Sequence, residues 1–77
     1  MDSKLLPAIS KTILSFRKSK GLTQEQLAEK SELDRTYISG IEREKRNLTI
    51  GSVETIILAL DVSLDDFLDE LKTNYRG

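Results

Sequence analysis

Apolar side chains recur along this chain at helical spacing, and no stretch shows the strict alternation of a β-strand. The first segment carries four apolar residues on one helical face: Leu6, Ile9, Ile13 and Phe16. This stripe predicts a helix over about 5–20. Pro7 fits such a helix only in its first turn, where its missing N–H is not needed, and Gly21 supplies the C-terminal stop.

Four later helix starts share one sequence pattern. An apolar residue precedes a capping residue, and a second apolar residue follows four positions after the cap, at Leu22-Thr23-Leu27, Leu33-Asp34-Ile38, Leu48-Thr49-Val53 and Val62-Ser63-Phe67. The cap oxygen accepts a hydrogen bond from an unpaired backbone N–H, and the apolar pair closes around it. Gln26 behind Thr23 and Asp66 behind Ser63 complete capping boxes. Further helices are predicted over about 24–30, 35–43, 50–60 and 64–72, with a frayed tail at 73–77.

The length and composition of the chain exclude several classes of protein function. With 77 residues we expect a single all-α domain spanning residues 1–77, a compact five-helix bundle. The chain has no Cys and no His, which excludes disulfides, a His/Cys zinc site, a thiol nucleophile and an imidazole base. We therefore expect no enzyme activity, no metal and no cofactor. No apolar run is long enough to span a membrane, no secretory signal is evident, and a cytoplasmic location is expected.

Charge is distributed unevenly along the chain. Residues 1–50 hold ten basic and seven acidic side chains, a balance of +3, whereas residues 51–77 hold two basic and six acidic side chains, a balance of −4. A nucleic-acid surface, if there is one, should lie in the first part. The alternative is that mixed charges simply keep the helix faces solvated.

The most informative stretch is residues 24–43, QEQLAEKSELDRTYISGIER. Two short helices are joined by a tight turn at Ser31-Glu32-Leu33, and Ala28 supplies a small residue where the helices cross. Leu27, Leu33, Ile38 and Ile41 are predicted to share one core. The second helix then presents its N-terminal residues on the outside, where they can enter a DNA major groove about 12 Å wide.

This stretch resembles the DNA-binding helix-turn-helix of the Xre/phage-repressor family. The run LDRTYISGIEREKRNLTI, residues 33–50, is similar to the controller proteins of bacterial restriction–modification systems. The resemblance implies a lambda-repressor-like five-helix fold, dimerisation, and regulation of the chain's own promoter. Glu32 departs from the family, where Gly is common at this turn because the backbone has φ > 0. A Glu in that conformation costs about 1–2 kcal/mol.

The predicted base-reading residues lie on or beside the second helix of this motif: Arg35, Thr36, Tyr37, Ser39 and Arg43. Arg35 is the first choice, because its planar guanidinium can donate to N7 and O6 of one guanine. Each residue also has an alternative role. Arg35 pairs with a neighbouring acid or a phosphate, Thr36 lies on ordinary helix surface, and Tyr37 packs at the edge of the core. Gly40, in the middle of the helix, indicates a close approach either to DNA or to a neighbouring helix.

Contacts to the DNA backbone are predicted on both sides of the recognition helix. The expected residues are Arg17, Gln24, Lys45, Arg46 and Asn47, with the free N–H groups at the start of the helix after Thr23 adding an anion site. The alternative for the loop 44–47 is a solvated connector that does not contact DNA. Similar repressors pair an Arg of the first helix with the Glu of ISGIE, which implies a structural ion pair between Arg17 and Glu42.

The last helix, over 64–72, is predicted to form a homodimer through an apolar stripe, Leu64, Phe67, Leu68 and Leu71. The alternative places the whole stripe in the core of one chain. Together these features predict a sequence-specific regulator that binds a (pseudo)palindromic double-stranded DNA operator as a dimer, with RNA polymerase as a further partner by resemblance to controller proteins. The alternatives are a prophage-type repressor or antitoxin of the same fold, and a protein interaction module that does not bind DNA.

Overall fold

Five α-helices follow one another in the computed structural model, which describes residues 3–77. They span Leu5–Ser19 (α1), Gln24–Ser31 (α2), Arg35–Glu42 (α3), Ile50–Leu60 (α4) and Leu64–Arg76 (α5). Residues 3–77 contain no strand. The all-α, five-helix prediction is confirmed, and α2 to α5 begin at the predicted residues. The predicted domain starts at residue 1, and its first two residues lie outside the described range.

Side-chain caps set the four later helix starts. Thr23, Asp34, Thr49 and Ser63 each accept a hydrogen bond from a backbone N–H in the first turn that follows. At α2 the capping box is complete, because the Gln26 side-chain oxygen also accepts from the Thr23 N–H at 2.8 Å. The capping box predicted for Asp66 is wrong. Within residues 3–77 its carboxylate makes no bond back to Ser63, since Asp is shorter than the Glu or Gln that usually closes this motif.

One apolar core joins all five helices. Its largest fully buried members are Ile13, Leu27, Ile38, Ile41, Ile56, Leu60 and Phe67. Ala28 is buried where α2 meets α3, as predicted, whereas Leu33 is only half-buried at the turn. Phe67 stacks on Phe16 with ring centroids 6.0 Å apart. The prediction that Phe67 lies on a dimer face is therefore wrong, because the first helix covers its ring within one chain.

Three acidic residues occupy the left-handed backbone region at helix ends. Glu32 has φ 57°, as predicted for this turn, and Glu44 and Asp61 have φ 61° and φ 57°. After α2, the Leu33 N–H returns to the Ala28 carbonyl at 3.1 Å and closes the helix end. Gly21, with φ 70°, closes the end of α1 in the same way and is the stop that the sequence predicted.

The predicted fraying of residues 73–77 is wrong, because α5 continues to Arg76. The Asn74 side-chain amide donates to Oγ1 of the buried Thr12 at 2.8 Å, and the Lys4 ammonium lies 5.3 Å from the centroid of the Tyr75 ring. These two contacts tie the end of α5 to α1. The apolar pattern ends earlier in the sequence, so it could not reveal an anchor made by polar groups.

Residues 3–77 contain neither a membrane-spanning helix nor a metal-binding cluster. No helix in that range is both long and apolar enough to cross a lipid bilayer. The same range has no cluster of three or more carboxylate, His or Cys side chains that could hold a metal ion.

Candidate DNA-binding surface

The first turn of α3 projects from the folded chain. Asp34 caps this helix by accepting from the Thr36 N–H at 2.7 Å, so the helix begins at Arg35. Arg35 and Thr36 are both exposed, and neither side chain forms a hydrogen bond within residues 3–77. The structure therefore places these two residues on the outside, where the sequence placed them.

A shallow polar pocket of about 340 Å³ lies between the starts of α2 and α3. Its lining residues are Arg17, Thr23, Gln24, Glu25 and Arg35. The two guanidinium groups and the N-terminus of α2 make this pocket suited to an anion. The sequence predicted all of these residues as neighbours of DNA except Glu25, whose carboxylate is the one negative group among them.

Glu42, the last residue of α3, accepts hydrogen bonds from side chains on two other helices, α1 and α2. The Arg17 guanidinium donates to both of its carboxylate oxygens, at 2.6 and 3.0 Å, and the Gln24 amide donates at 2.9 Å. A third Arg17 N–H donates to the Leu22 carbonyl at 2.7 Å. The structure thus brings together the predicted pair Arg17 and Glu42. The bond from Gln24 was missed, since sequence spacing gives no signal for it.

Arg17 and Gln24 nevertheless keep donors for a second partner. Arginine carries five N–H donors and the glutamine amide carries two. The contacts with Glu42 and Leu22 use three donors of Arg17 and one of Gln24. Both side chains line the pocket, so the remaining donors are available to a phosphate placed there.

Tyr37 supports the loop after α3. Its ring is half-buried against the core, and its hydroxyl donates to the Asn47 carbonyl at 3.3 Å and lies 3.2 Å from Ser52 Oγ. Thr49 in turn donates to Ser52 Oγ at 2.9 Å. The sequence placed Tyr37 among the base readers or at the core edge, and the structure places it at the core edge. Ser52 was missed, although its position three residues after the cap Thr49 signals a capping contact.

Two other predicted base readers lie further along α3. Ser39 is half-buried, and Arg43 is exposed one residue beyond the end of the helix. The Arg43 guanidinium folds back, and its Nε donates to the Ser39 carbonyl at 3.4 Å. Arg43 is therefore on the surface, just over two helical turns from Arg35.

The loop between α3 and α4 carries the three predicted phosphate contacts, Lys45, Arg46 and Asn47, and all three are exposed. Its backbone returns to α3 through Lys45 N–H, which donates to the Gly40 carbonyl at 2.7 Å. The close approach indicated by Gly40 comes from this loop. The expectation was an approach by DNA or by a neighbouring helix, and within the chain the structure instead places the Arg46 side chain beside Gly40.

Comparisons with known proteins agree with this architecture. Residues 13–67 match the helix-turn-helix family model. Control protein C.SmaI of Serratia marcescens is 40% identical over 68 residues, which cover 88% of this chain and 79% of that protein. The crystal structure of the wild-type restriction–modification controller protein C.Esp1396I superposes with a TM-score of 0.94 at 51% identity, covering 99% of this chain and 97% of the other.

A second C.Esp1396I structure shows a tetramer in complex with its natural 35-base-pair operator. It superposes equally well, with a TM-score of 0.94 at 51% identity, and covers 99% of this chain and 100% of that one. The family model and the controller proteins both span most of the chain. This chain therefore belongs to the helix-turn-helix family, and within it to the controller proteins of restriction–modification systems.

Proposed function

We propose that this protein binds a (pseudo)palindromic double-stranded DNA operator as a dimer and regulates transcription from its own promoter. The observation that carries the proposal is the exposed first turn of α3, with Arg35 and Thr36 free of partners within residues 3–77. The binding of C.Esp1396I to its natural operator supports it, because the two chains share one backbone arrangement.

We assign direct base reading to α3. Arg35 can donate in bidentate fashion to a guanine, and Thr36 can contact a thymine methyl group. Ser39 and Arg43 extend the same surface toward the end of the helix. Tyr37 contributes the edge of its ring beside them, because its hydroxyl already bonds to the loop.

Contacts to phosphate flank this helix on both sides. Arg17 and Gln24 offer their remaining donors at the start of α2, and the loop offers Lys45, Arg46 and Asn47. The net charge of the whole chain is only −1, so binding depends on this local basic face and not on overall charge. Affinity should therefore fall steeply with salt, as each neutralised phosphate releases about 0.9 counterion.

The dimensions of the chain favour a dimer on an operator with two half-sites. We treat residues 1–77 as one domain, and the longest extent of its described residues, 3–77, is 31 Å. Two half-sites on one face of the duplex are centred about 34 Å apart, so a single chain with one recognition helix cannot read both. Two copies related by a two-fold axis place one α3 in each half-site.

We place the dimer interface on an apolar groove between α4 and α5. Its most exposed members are Ile50, Leu58 and Leu64, at 87%, 73% and 59% of full exposure. Ile50, at the start of α4, lies three residues after the basic loop 44–47 in the sequence. Such an exposed apolar area is typical of a protein interface.

The other two residues of the predicted stripe face a different groove. Leu68 and Leu71 line it together with Leu5 and Tyr75, between α1 and α5. The structure thus divides the predicted stripe of α5 into a buried Phe67, a Leu64 beside α4, and a Leu68–Leu71 pair beside α1.

Regulation would follow from occupancy of the operator. A bound dimer blocks RNA polymerase where the sites overlap, and recruits it where the operator lies upstream. This action places the protein in the bacterial cytoplasm and requires no enzyme activity. The alternatives differ in context: a prophage repressor or antitoxin would be encoded beside phage or toxin genes, and a protein interaction module would bind no duplex.

Selection from random duplexes tests the proposal. The purified chain should enrich a symmetric sequence, and that sequence should occur upstream of its own gene. Binding measured by fluorescence anisotropy should saturate at two chains per site. Failure to enrich any duplex, or equal affinity for selected and scrambled DNA, would contradict the proposed function.

A further inference from the structure

Gly40 lies buried in the middle of α3, and the side chain of Arg46 runs across it. A Cβ atom at position 40 would lie 2.5 Å from Arg46 Cγ, 3.5 Å from its Nε and 3.6 Å from its Cβ. The first of these distances is far below van der Waals contact. Any side chain at position 40 would therefore displace Arg46.

The backbone on both sides of Arg46 is tied to α3. Lys45 N–H donates to the Gly40 carbonyl at 2.7 Å, and Glu44 N–H donates to the Ile41 carbonyl at 3.0 Å. On the other side, the Asn47 carbonyl accepts from the Tyr37 hydroxyl at 3.3 Å. Because Cγ is only two bonds from this anchored backbone, Arg46 can avoid a Cβ at position 40 only by changing its first side-chain torsion or by breaking these contacts.

The backbone conformation at position 40 does not require glycine. Among the glycines of residues 3–77, only Gly21 has a positive φ, so the backbone at Gly40 is accessible to any L-residue. Glycine in a helix interior is unfavourable relative to alanine. The contact with Arg46 is the structural feature that explains its presence.

We propose that Gly40 is a positioning residue, whose missing side chain lets Arg46 lie along α3 and hold its guanidinium against a DNA phosphate. Position 40 is one helical turn after Thr36, on the same face of α3. Arg46 thereby adds a cation to the surface that carries Arg35 and Thr36. The inference rests on the proposed function and extends it to a residue that does not touch DNA itself.

Four proteins test this inference: the wild type, Gly40→Ala, Arg46→Ala and the double variant. The probe is the duplex enriched by the wild-type chain, with affinity measured across a range of salt concentrations. Gly40→Ala should weaken binding about tenfold or more. The slope of log affinity against log salt should fall by about 0.9 per chain, the signature of one lost phosphate contact.

The double variant separates positioning from a general effect on folding. With alanine at position 46, the only side-chain atom left there is Cβ, which lies at an ordinary 3.6 Å from a Cβ at position 40. Gly40→Ala therefore creates no clash in this background. Gly40→Ala should then change neither affinity nor salt slope beyond the loss caused by Arg46→Ala. Thermal melting of all four proteins reports on the fold independently.

Two results would overturn the inference. One is a Gly40→Ala protein with wild-type affinity and salt slope. The other is a double variant whose loss of affinity is the product of the two single losses. A wild-type chain that enriched no duplex would overturn the proposed function and this inference together, whereas the first two results leave the proposed function standing.

Discussion

Arg17 on α1 donates to both carboxylate oxygens of Glu42 at the end of α3, and only 4% of the Glu42 side chain is exposed. Glu42→Ala removes the acceptor of three hydrogen bonds and leaves the guanidinium without its counter-charge. We expect a loss of about 3–5 kcal/mol in the free energy of unfolding, measured by urea denaturation. The matched control is Asp69→Ala, which breaks the exposed pair with Lys72 and should cost less than about 1 kcal/mol. Equal costs for the two variants would contradict the structural role of Glu42.

Arg35→Ala should reduce affinity for the selected operator by about 1–3 kcal/mol and relax the base preference at one position in each half-site. The exposed guanidinium has no partner within residues 3–77, so the fold should be unaffected. Lys45→Ala, in the loop, should instead weaken matched and scrambled duplexes to similar extents. Titrations of both duplexes with both variants give the measurement. Identical behaviour of the two variants would refute the division into base readers and phosphate contacts.

Leu58→Glu should convert the dimer into a monomer at micromolar concentration, because it places a charge in the centre of the proposed α4–α5 interface. Sedimentation should then give a mass near 8.7 kDa in place of about twice that value. Leu68→Glu, in the groove beside α1, is the matched control and should remain dimeric. The reverse pattern would move the interface to the α1–α5 groove.

Glu32→Gly should stabilise the chain by about 1 kcal/mol, because glycine adopts φ 57° without a steric penalty. For a domain of this size, the melting temperature should rise by about 4–8 °C. Glu29→Gly, inside α2, should lower the melting temperature, since glycine is unfavourable in the interior of a regular helix. A melting temperature that falls in both variants would show that the turn gains nothing from glycine.

Ser10→Ala should also stabilise the chain, by about 1 kcal/mol. The Ser10 hydroxyl is buried and has no hydrogen-bond partner within residues 3–77, so its removal relieves a desolvation cost. Thr12→Val, two residues further along α1, should cost about 1–3 kcal/mol, because Oγ1 of Thr12 donates to the Ala8 carbonyl and accepts from Asn74. Thermal melting of both variants measures the difference. A stability loss with Ser10→Ala would indicate an unrecognised partner for that hydroxyl.

The helix starts were predictable because their determinants are local. A cap such as Thr23 and its flanking apolar pair lie within five positions of one another, so the sequence alone reveals the capping contact. The left-handed turn at Glu32 was predictable only through resemblance to a family in which glycine is common. The equivalent turns at Glu44 and Asp61 carry no comparable signal and were missed.

Contacts between distant polar groups could not be predicted in the same way. Gln24 reaches Glu42, and Asn74 reaches Thr12 across 62 positions of the chain. Such pairs depend on how the helices cross, which apolar periodicity fixes only approximately. The exposed apolar side chains of α5 illustrate the same limit. Their spacing predicts a stripe, but only the packing of α1 and α4 decides which of them is covered.

Within residues 3–77 the side chains of Arg35 and Thr36 form no hydrogen bond, whereas Tyr37 and Glu42 hold α3 to its neighbours. Under the proposed function, recognition and structural support therefore reside in different side chains of one short helix. If Arg35 and Thr36 read bases as proposed, variation at positions 35 and 36 changes the operator preference without unfolding the protein. Under the proposed function, related regulators can therefore acquire different operator preferences while they keep the same contacts between helices.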